Sequence, residues 1–276
     1  MFLQWYPGHM TRASRMIEQE IKLCDGVIFV LDARAPFACL NSKIFTVFKN
    51  KPVLYLFNKS DLVEQKDLTL ALDEFKTQGK TAIAVDGRSE KSARVIFEKT
   101  GVVLSQVKER YALKGVKRPI RVMVAGLPNT GKSTVINSLI GKKGAKTGDK
   151  AGVTRDKQWL KVKDLELLDT PGTTPPSFEN QRYALFLAFI GSLNDEILDF
   201  EELSAELIKY LTENYAGKIE AVYGVETDGK QPYEILGDIA AKKGALKKGG
   251  EPDYLKAANM FVNDLRKGKI GKIYFK

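Results

Sequence analysis

A glycine-rich stretch in the middle of the chain has the residue types and spacing of a phosphate-binding loop. It is Gly126-Leu-Pro-Asn-Thr-Gly131-Lys132-Ser133, which matches the pattern of two glycines followed by Lys and Ser or Thr. In such loops backbone N–H groups wrap the phosphates, the lysine stabilises the transferring γ-phosphate, and the hydroxyl binds Mg²⁺. We predict nucleotide contacts, with Lys132 also catalytic, at Asn129, Thr130, Gly131, Lys132, Ser133 and Thr134.

The motif Asn58-Lys59-Ser60-Asp61 follows an apolar run and has the chemistry to select a base. The Asp61 carboxylate can accept hydrogen bonds from the N1–H and the 2-amino group of guanine, whereas adenine has an acceptor at N1 and lacks that amine. Taken alone, the motif is also typical of a turn that caps a helix. Together with the phosphate loop it predicts that Asn58, Lys59, Ser60 and Asp61 select GTP over ATP.

A third motif, Asp169-Thr-Pro-Gly172, has the features of a γ-phosphate sensor. Asp169 can hold Mg²⁺ through water, and the Gly172 N–H can bond the γ-phosphate. Ahead of it, the Thr154 hydroxyl can complete the magnesium shell when GTP is present, which makes Thr154 a predicted catalytic residue, although an exposed loop threonine is the alternative. The predicted magnesium ligands are Ser133, Thr154 and Asp169.

These motifs lie at the ends of apolar runs that alternate with amphipathic segments, as in an α/β protein with a mainly parallel sheet. Beyond Arg182 the apolar periodicity is helical. We therefore predict an α/β domain over residues 1–180, including an N-terminal helix, and a small all-helical domain over 181–276. The predicted strands are Val27 to Leu31, Val53 to Phe57, Thr81 to Val85, Ile120 to Ala125 and Leu165 to Leu168; the predicted helices are Thr11 to Cys24, Asp67 to Gln78, Ser92 to Leu113 and Lys132 to Ile140.

The chain of 276 residues has a net charge of +10, and most of the excess lies near its C-terminus. Residues 242–276 hold ten Lys and Arg against three acidic residues. Such a surplus attracts polyanions, of which nucleic acid is the leading candidate, although a basic protein can also owe its charge to solubility alone.

The composition also indicates where the protein works. No apolar run approaches the ~20 residues of a membrane span, and the N-terminus lacks the pattern of a secretion signal. The two cysteines, Cys24 and Cys39, have no metal-ligand spacing and suit a reducing compartment as buried thiols. We expect a cytoplasmic protein with no membrane association, and a monomer by default.

The order of the motifs is unusual, because the guanine motif precedes the phosphate loop instead of following the γ-phosphate motif. Two further segments accompany it, Trp5-Tyr-Pro-Gly-His9-Met10 and Asp32-Ala-Arg-Ala-Pro36. With these segments, essentially the whole chain resembles the YlqF/RbgA family of ribosome biogenesis GTPases. In that family the P-loop GTPase domain is circularly permuted and a helical domain follows it.

The resemblance implies a GTPase of the cytoplasm that acts in late assembly of the large ribosomal subunit and contacts rRNA through its C-terminal domain. It implies Mg²⁺ and also K⁺, because the position of Asn129 binds a monovalent cation in related potassium-stimulated GTPases. It also implies that His9 positions the attacking water, since Thr173 stands where Ras-like proteins have a glutamine. A structural hydrogen bond is the alternative role of His9.

Parts of the sequence depart from the family pattern. Residues 151–154 are Ala-Gly-Val-Thr where relatives have Pro-Gly-Ile-Thr, and the base-contacting loop near 84–87 matches poorly, with Asp86 as the candidate contact. Two other functions therefore stay open. One is an RNA-binding assembly factor with a nearly inert nucleotide site, and the other is a GTPase that acts on another RNA such as tRNA.

Overall fold

Six strands form one sheet in the order β3-β2-β1-β4-β6-β5. Neighbouring strands are parallel, except that β5 is antiparallel to β6. The computed structural model describes residues 15–40, 47–48, 50–141, 158–172, 178 and 180–276. The strands are β1 (Gly26–Asp32), β2 (Val53–Asn58), β3 (Thr81–Ala84), β4 (Ile120–Gly126), β5 (Gln158–Val162) and β6 (Leu165–Asp169).

Helices cover both faces of this sheet. In β1, Phe29 and Leu31 belong to one hydrophobic core, whereas Ile28 and Val30 belong to another on the opposite face. A parallel strand that is apolar on both faces is stable only when both are covered. The described helices are α1 (residues 15–20), α2 (Pro36–Leu40), α3 (Gln65–Thr77), α4 (Glu90–Val103), α5 (Ser105–Leu113), α6 (Lys132–Ile140), α7 (Gln181–Phe189), α8 (Phe200–Asn214), α9 (Lys218–Tyr223), α10 (Pro232–Lys243) and α11 (Tyr254–Arg266).

The predicted α/β fold is confirmed, and each of the five predicted strands is present within a residue or two. Strand β5 has no counterpart among the predicted strands. The prediction of one helix from Ser92 to Leu113 is wrong, because α4 ends at Val103 and α5 starts at Ser105. The intervening Leu104 is buried against Gly26, where a Cβ atom would clash with it, so packing on the sheet explains the break.

Beyond residue 180 the regular structure is helical, as predicted. The aromatic rings of Phe186 and Phe189 contact that of Phe275, close to the C-terminus. These residues share one hydrophobic core with Phe29 of the sheet. The C-terminal helices therefore pack directly on the α/β layer, and the boundary after residue 180 stays a prediction.

None of the described helices has both the length and the apolar character to span a membrane. Cys24 and Cys39 are both buried. Burial raises the pKa of each thiol to about 12. Both cysteines are therefore buried thiols, as the sequence predicts, and they are protonated at neutral pH.

Candidate nucleotide site

The candidate site lies at the carboxyl edge of the parallel strands, where ligands bind in open α/β sheets. The strand register places Asp32 of β1 beside Asn58 of β2, and Val30 of β1 beside Gly126 of β4. Asp169 ends β6 on the same edge. The sheet thus brings together the three motifs that are separated in the sequence.

The guanine motif contacts the phosphate-binding loop directly through two side chains. The Asn58 Nδ2 atom donates to the Thr130 carbonyl oxygen at 2.8 Å, across 72 residues of sequence. The Lys59 ammonium donates to the Asn129 carbonyl oxygen at 2.6 Å. Both side chains therefore fix the position of the base motif relative to the loop.

The phosphate-binding loop has the backbone that close wrapping of phosphates requires. Gly131 has φ 90° and Asn129 has φ 59°, and α6 begins immediately afterwards at Lys132. A Cβ atom on Gly131 would clash with the Asn58 amide, so only glycine fits there. The N-terminal N–H groups of α6 are consequently available to an anion.

Lys132 and Asp169 are both buried beside this loop, and each opposes the shift that burial causes in the pKa of the other. Burial lowers the pKa of Lys132 to about 8, while Asp169 opposes that shift. Burial raises the pKa of Asp169 above its usual range, although Lys132 opposes it. The Lys132 ammonium donates to the Leu127 carbonyl oxygen at 2.9 Å.

Asp169 has the properties of a metal-binding carboxylate. Its side chain is 2% exposed, and its Oδ1 atom accepts no hydrogen bond from the described residues. A buried carboxylate oxygen without a partner is costly unless a cation or water meets it. Mg²⁺ at nucleotide sites is usually bound by one or two protein oxygens, phosphate oxygens and water. Asp169 and the half-buried Ser133 on α6 can supply those protein oxygens.

Gly172 lies against the phosphate-binding loop. A Cβ atom there would be 2.7 Å from the Pro128 nitrogen and 2.9 Å from the Lys132 ammonium nitrogen. A side chain at this position would therefore push the γ-phosphate motif away from the loop.

The base-contacting loop lies beside the guanine motif. Ser60 N–H donates to the Val85 carbonyl oxygen at 3.1 Å, and Gly87 N–H donates to Asn58 Oδ1 at 2.8 Å. Asp86 and Asp61 are bridged by one arginine, Arg88, which lies 2.7 Å from Asp61 Oδ2 and 3.0 Å from Asp86 Oδ1. Arg88 is not among the residues that the motifs single out.

Thr134 lies half-buried in the first turn of α6, beside the predicted ligands of that helix. His9 and Thr154, the two other predicted catalytic residues, lie outside the described residues. The same is true of Thr173.

A buried ion cluster behind the guanine motif adds two residues for which the motifs predict no role. The Asp32 carboxylate lies 2.9 Å from the Lys59 ammonium and 2.8 Å from the Arg34 guanidinium. Burial alone would raise the pKa of Asp32, but the positive charges of Arg34 and Lys59 lower it by a larger amount. The pKa of Asp32 is therefore below its usual range. The signal in the sequence is the charged Asp-Ala-Arg segment that directly follows an apolar strand.

This ion cluster also reaches the C-terminal helices. The Arg34 guanidinium donates to the Leu265 carbonyl oxygen at 3.2 Å, which satisfies the end of α11. The Arg34 carbonyl oxygen in turn accepts from the Phe275 N–H at 2.7 Å. The last residues of the chain are therefore bonded to the segment that precedes the guanine motif.

The turn after α7 touches the phosphate-binding loop itself. The Asn129 side-chain amide donates to the Gly191 carbonyl oxygen at 2.6 Å. The Ser192 hydroxyl donates to the Pro128 carbonyl oxygen at 2.9 Å. The helical part thus contacts both the phosphate loop and the residues beside the guanine motif.

Comparison with known proteins agrees with this geometry. Residues 121–227 match a family model described as 50S ribosome-binding GTPase. Ribosome biogenesis GTPase A of Priestia megaterium is 38% identical over 278 residues, covering 100% of this chain and 96% of the relative. The chain belongs to the ribosome biogenesis GTPase A family. The member from Thermotoga maritima is 32% identical over 99% of this chain and 94% of that protein.

Two solved structures of YlqF extend the similarity to the fold. A GDP-bound structure is 30% identical, with a TM-score of 0.66 over 95% of this chain and 98% of that one. A GNP-bound structure from Thermotoga maritima is 30% identical, with a TM-score of 0.65 over 96% and 97%. As a member of the ribosome biogenesis GTPase A family, the chain has a P-loop GTPase fold and is a GTPase that uses guanine nucleotide.

Proposed function

We propose that this GTPase is an assembly factor of the large ribosomal subunit, working in the cytoplasm as a monomer. It binds the pre-ribosome with GTP and leaves after hydrolysis. The observation that carries the nucleotide half of this proposal is the Asn58 to Thr130 hydrogen bond, which joins the base motif and the phosphate loop into one site. The ribosomal half is supported by the names of the family model and the relatives.

Within this proposal the site residues divide by the part of the nucleotide that they meet. Asp61 accepts from guanine, with Asn58, Lys59, Ser60 and Asp86 around the base. The phosphate-binding loop and Gly172 hold the phosphates. The Lys132 ammonium stabilises the negative charge that develops on the γ-phosphate during its transfer. The proposed roles outside the described residues are water positioning by His9 and metal binding by Thr154.

The proposed magnesium site consists of Ser133, Asp169 and Thr154. When bound, Mg²⁺ neutralises charge on the β- and γ-phosphates. The half-buried Ser133 and the orphaned Asp169 oxygen support this assignment. We also assign a K⁺ site to Asn129 in this proposal. Equal rates of GTP hydrolysis in potassium and sodium buffers would refute that site.

The proposed rRNA surface is the exposed basic part of the C-terminal helices. Some of its cations are already neutralised: Lys269 pairs with Asp264, Lys272 with Glu64, and Arg266 with Asp195. Six others in residues 242–276 are exposed and form no ion pair with the acidic residues in the described ranges. A cation without an acidic partner gains most from contact with a phosphate. They are Lys242, Lys243, Lys247, Lys248, Lys256 and Lys267.

Substituting Lys242, Lys247 and Lys248 with Gln tests this surface. Affinity for large subunits should fall, and the slope of log affinity against log salt should decrease by roughly 0.7–0.9 for each phosphate that is no longer neutralised. The charge-matched control replaces Lys66, Lys76 and Lys80, on and beside α3, and should leave the slope unchanged. Equal slopes for both variants would place the RNA-binding surface elsewhere.

Sedimentation with isolated large subunits tests the whole proposal. The protein is spun with subunits in GDP and in a non-hydrolysable GTP analogue, and turnover is then measured with and without subunits. Nucleotide-dependent binding with stimulated turnover supports the proposal. Binding without nucleotide dependence or stimulation would instead indicate an inert nucleotide site, and no subunit binding would indicate another RNA target.

A further inference from the structure

Arg88 makes an unusual set of contacts for an exposed side chain. It is 69% exposed, yet its guanidinium bridges two carboxylates. The Nη2 atom donates to Asp61 Oδ2 at 2.7 Å and to Asp86 Oδ2 at 3.1 Å, and the Nε atom donates to Asp86 Oδ1 at 3.0 Å. One of these carboxylates, Asp61, is the group proposed to read guanine.

The chemistry of the two candidate partners of Asp61 is similar. A guanidinium presents neighbouring N–H donors in one plane, as does the edge of guanine that carries N1–H and the 2-amino group. Guanine needs both carboxylate oxygens of Asp61 for its N1–H and its 2-amino group, and Arg88 already occupies one acceptor position of Oδ2. Two donors on one oxygen weaken each other's hydrogen bonds, so Arg88 and guanine compete for Asp61.

Asp86 can hold the Arg88 side chain when the hydrogen bond between Arg88 and Asp61 is broken. Besides the two side-chain bonds, the Arg88 backbone N–H donates to Asp86 Oδ1 at 3.0 Å. The preceding Gly87 N–H is bonded to Asn58, which fixes this turn beside the guanine motif. Leaving Asp61 breaks one hydrogen bond of Arg88, while its bonds with Asp86 persist.

We propose that Arg88 is a guanine surrogate, which occupies Asp61 in the nucleotide-free protein and is displaced onto Asp86 by the base. It thereby sets the affinity for guanine nucleotides without touching the phosphates. This inference rests on the proposed role of Asp61 as the guanine reader.

Replacing Arg88 should tighten nucleotide binding. Measured exposed ion pairs are typically worth about 0.2–1 kcal/mol, so R88A should lower the Kd for GDP by roughly 1.4-fold to fivefold. The Kd for a non-hydrolysable GTP analogue should fall by the same factor, because the competition is at the base. The gain should shrink as salt is raised, since salt weakens the exposed Arg88 to Asp61 pair in the parent protein.

The matched control is R94A, which removes another exposed arginine. Arg94 lies on α4 and pairs with Glu98 within the same helix at 2.8 Å. It controls for the removal of one exposed, ion-paired arginine that does not contact Asp61, and its Kd values should equal those of the parent protein. Weaker or unchanged GDP binding in R88A relative to R94A would overturn the proposal.

A second pair of variants separates this inference from the role of Asp61 itself. In D61N the amide can donate to xanthine, which carries a carbonyl where guanine has its 2-amino group, so binding should shift from GDP to XDP. Adding R88A to D61N should tighten XDP binding less than R88A alone tightens GDP binding, because the amide carbonyl introduced by D61N is a weaker acceptor for Arg88 than the carboxylate. A D61N variant that keeps its preference for GDP would refute the guanine-reading role, whereas an equal or larger gain in the double variant would refute the surrogate role alone.

Discussion

Asn58 Nδ2 and the Thr130 carbonyl oxygen are 2.8 Å apart, and this hydrogen bond joins two motifs that the chain presents in permuted order. The same side chain accepts from the Gly87 N–H through Oδ1. Asn58 is 2% exposed, so water cannot replace it at either bond. One amide therefore holds the base motif, the phosphate loop and the base-contacting turn in a fixed relationship.

Asn58→Ala should consequently damage both stability and nucleotide binding. It leaves a buried carbonyl and a buried N–H without partners, at about 1–3 kcal/mol each. We expect the free energy of unfolding to fall by roughly 2–4 kcal/mol and GDP affinity to fall by about tenfold or more. Urea unfolding and GDP titration measure these effects. Asn259→Ala, which removes a more exposed amide bonded within α11, is the control, and equal effects in both variants would contradict the assignment.

Gly172→Ala should weaken GTP binding more than GDP binding, because the motif moves off the loop and no longer bonds the γ-phosphate. A hydrogen bond to a charged group is worth about 1.5–3 kcal/mol, so affinity for a GTP analogue should fall roughly 10–100-fold. Titration with both nucleotides measures the ratio. Gly101→Ala in α4 meets no atom closer than 3.8 Å and should change neither Kd. A uniform loss for both nucleotides would exclude a γ-phosphate role.

Arg34→Met should strongly destabilise the fold, because it leaves Asp32 with one cation fewer in a buried cluster. Breaking a buried pair typically costs about 3–5 kcal/mol. Lys272→Met removes an ion pair that also joins the C-terminal residues to the α/β part, but that pair is exposed and should cost less than about 1 kcal/mol. Chemical unfolding compares them, and similar losses would refute a special role for the buried cluster.

The same cluster predicts a pH dependence. The pKa of Asp32 is lowered in the folded state, since Arg34 and Lys59 outweigh the effect of burial. Its contribution to stability is therefore complete above the unfolded pKa of about 3.9 and is lost as the pH falls below it. Asp32→Asn should be less stable at pH 7 and lose less stability between pH 4 and pH 2. Parallel curves for variant and parent would contradict this.

The hydrogen bond between Ser192 and Pro128 suggests a route by which the bound nucleotide affects the position of the C-terminal helices. We propose that the γ-phosphate state sensed at Gly172 is passed to those helices through residues 178–189 and, in addition, through this contact. Ser192→Ala should narrow the difference in large-subunit affinity between GDP and GTP-analogue states. Ser204→Ala, which removes a buried hydroxyl bonded within α8, should leave the difference intact. An undiminished difference in Ser192→Ala would exclude this route.

Much of the fold could be predicted because each parallel strand is a mainly apolar run, and most of these runs end in a motif. β5 does not follow this rule, since Gln158–Val162 is an edge strand whose sequence mixes polar and apolar residues. The break at Leu104 does not follow it either, because the helical periodicity continues across the break and packing against Gly26 decides the kink. Local sequence patterns predict individual helices and strands well, but they do not predict changes that arise when one element packs against another.

The candidate site divides in the same way. Lys132, Asp61 and Asp169 are recognisable because nucleotide chemistry needs those residue types at fixed spacing. Ser192 carries no such pattern, since its partner is the backbone carbonyl of Pro128. Arg34 shows only its local pairing with Asp32 in the sequence, and its bond to the Leu265 carbonyl oxygen, 231 residues away, has no signal there. Arg88 is equally hard to predict, because an exposed arginine beside a glycine is ordinary until its two carboxylates are seen.

Subunit-stimulated hydrolysis by Asp61→Asn, with GTP and with XTP, tests most sharply whether Asp61 reads the base in a GTPase that works on the large subunit. If it does, stimulated turnover should disappear with GTP and return with XTP. The parent protein should show the opposite preference under the same conditions. Persistent GTP turnover in the variant would refute the guanine-reading role of Asp61, and no stimulation by large subunits with either nucleotide would refute the role in large-subunit assembly.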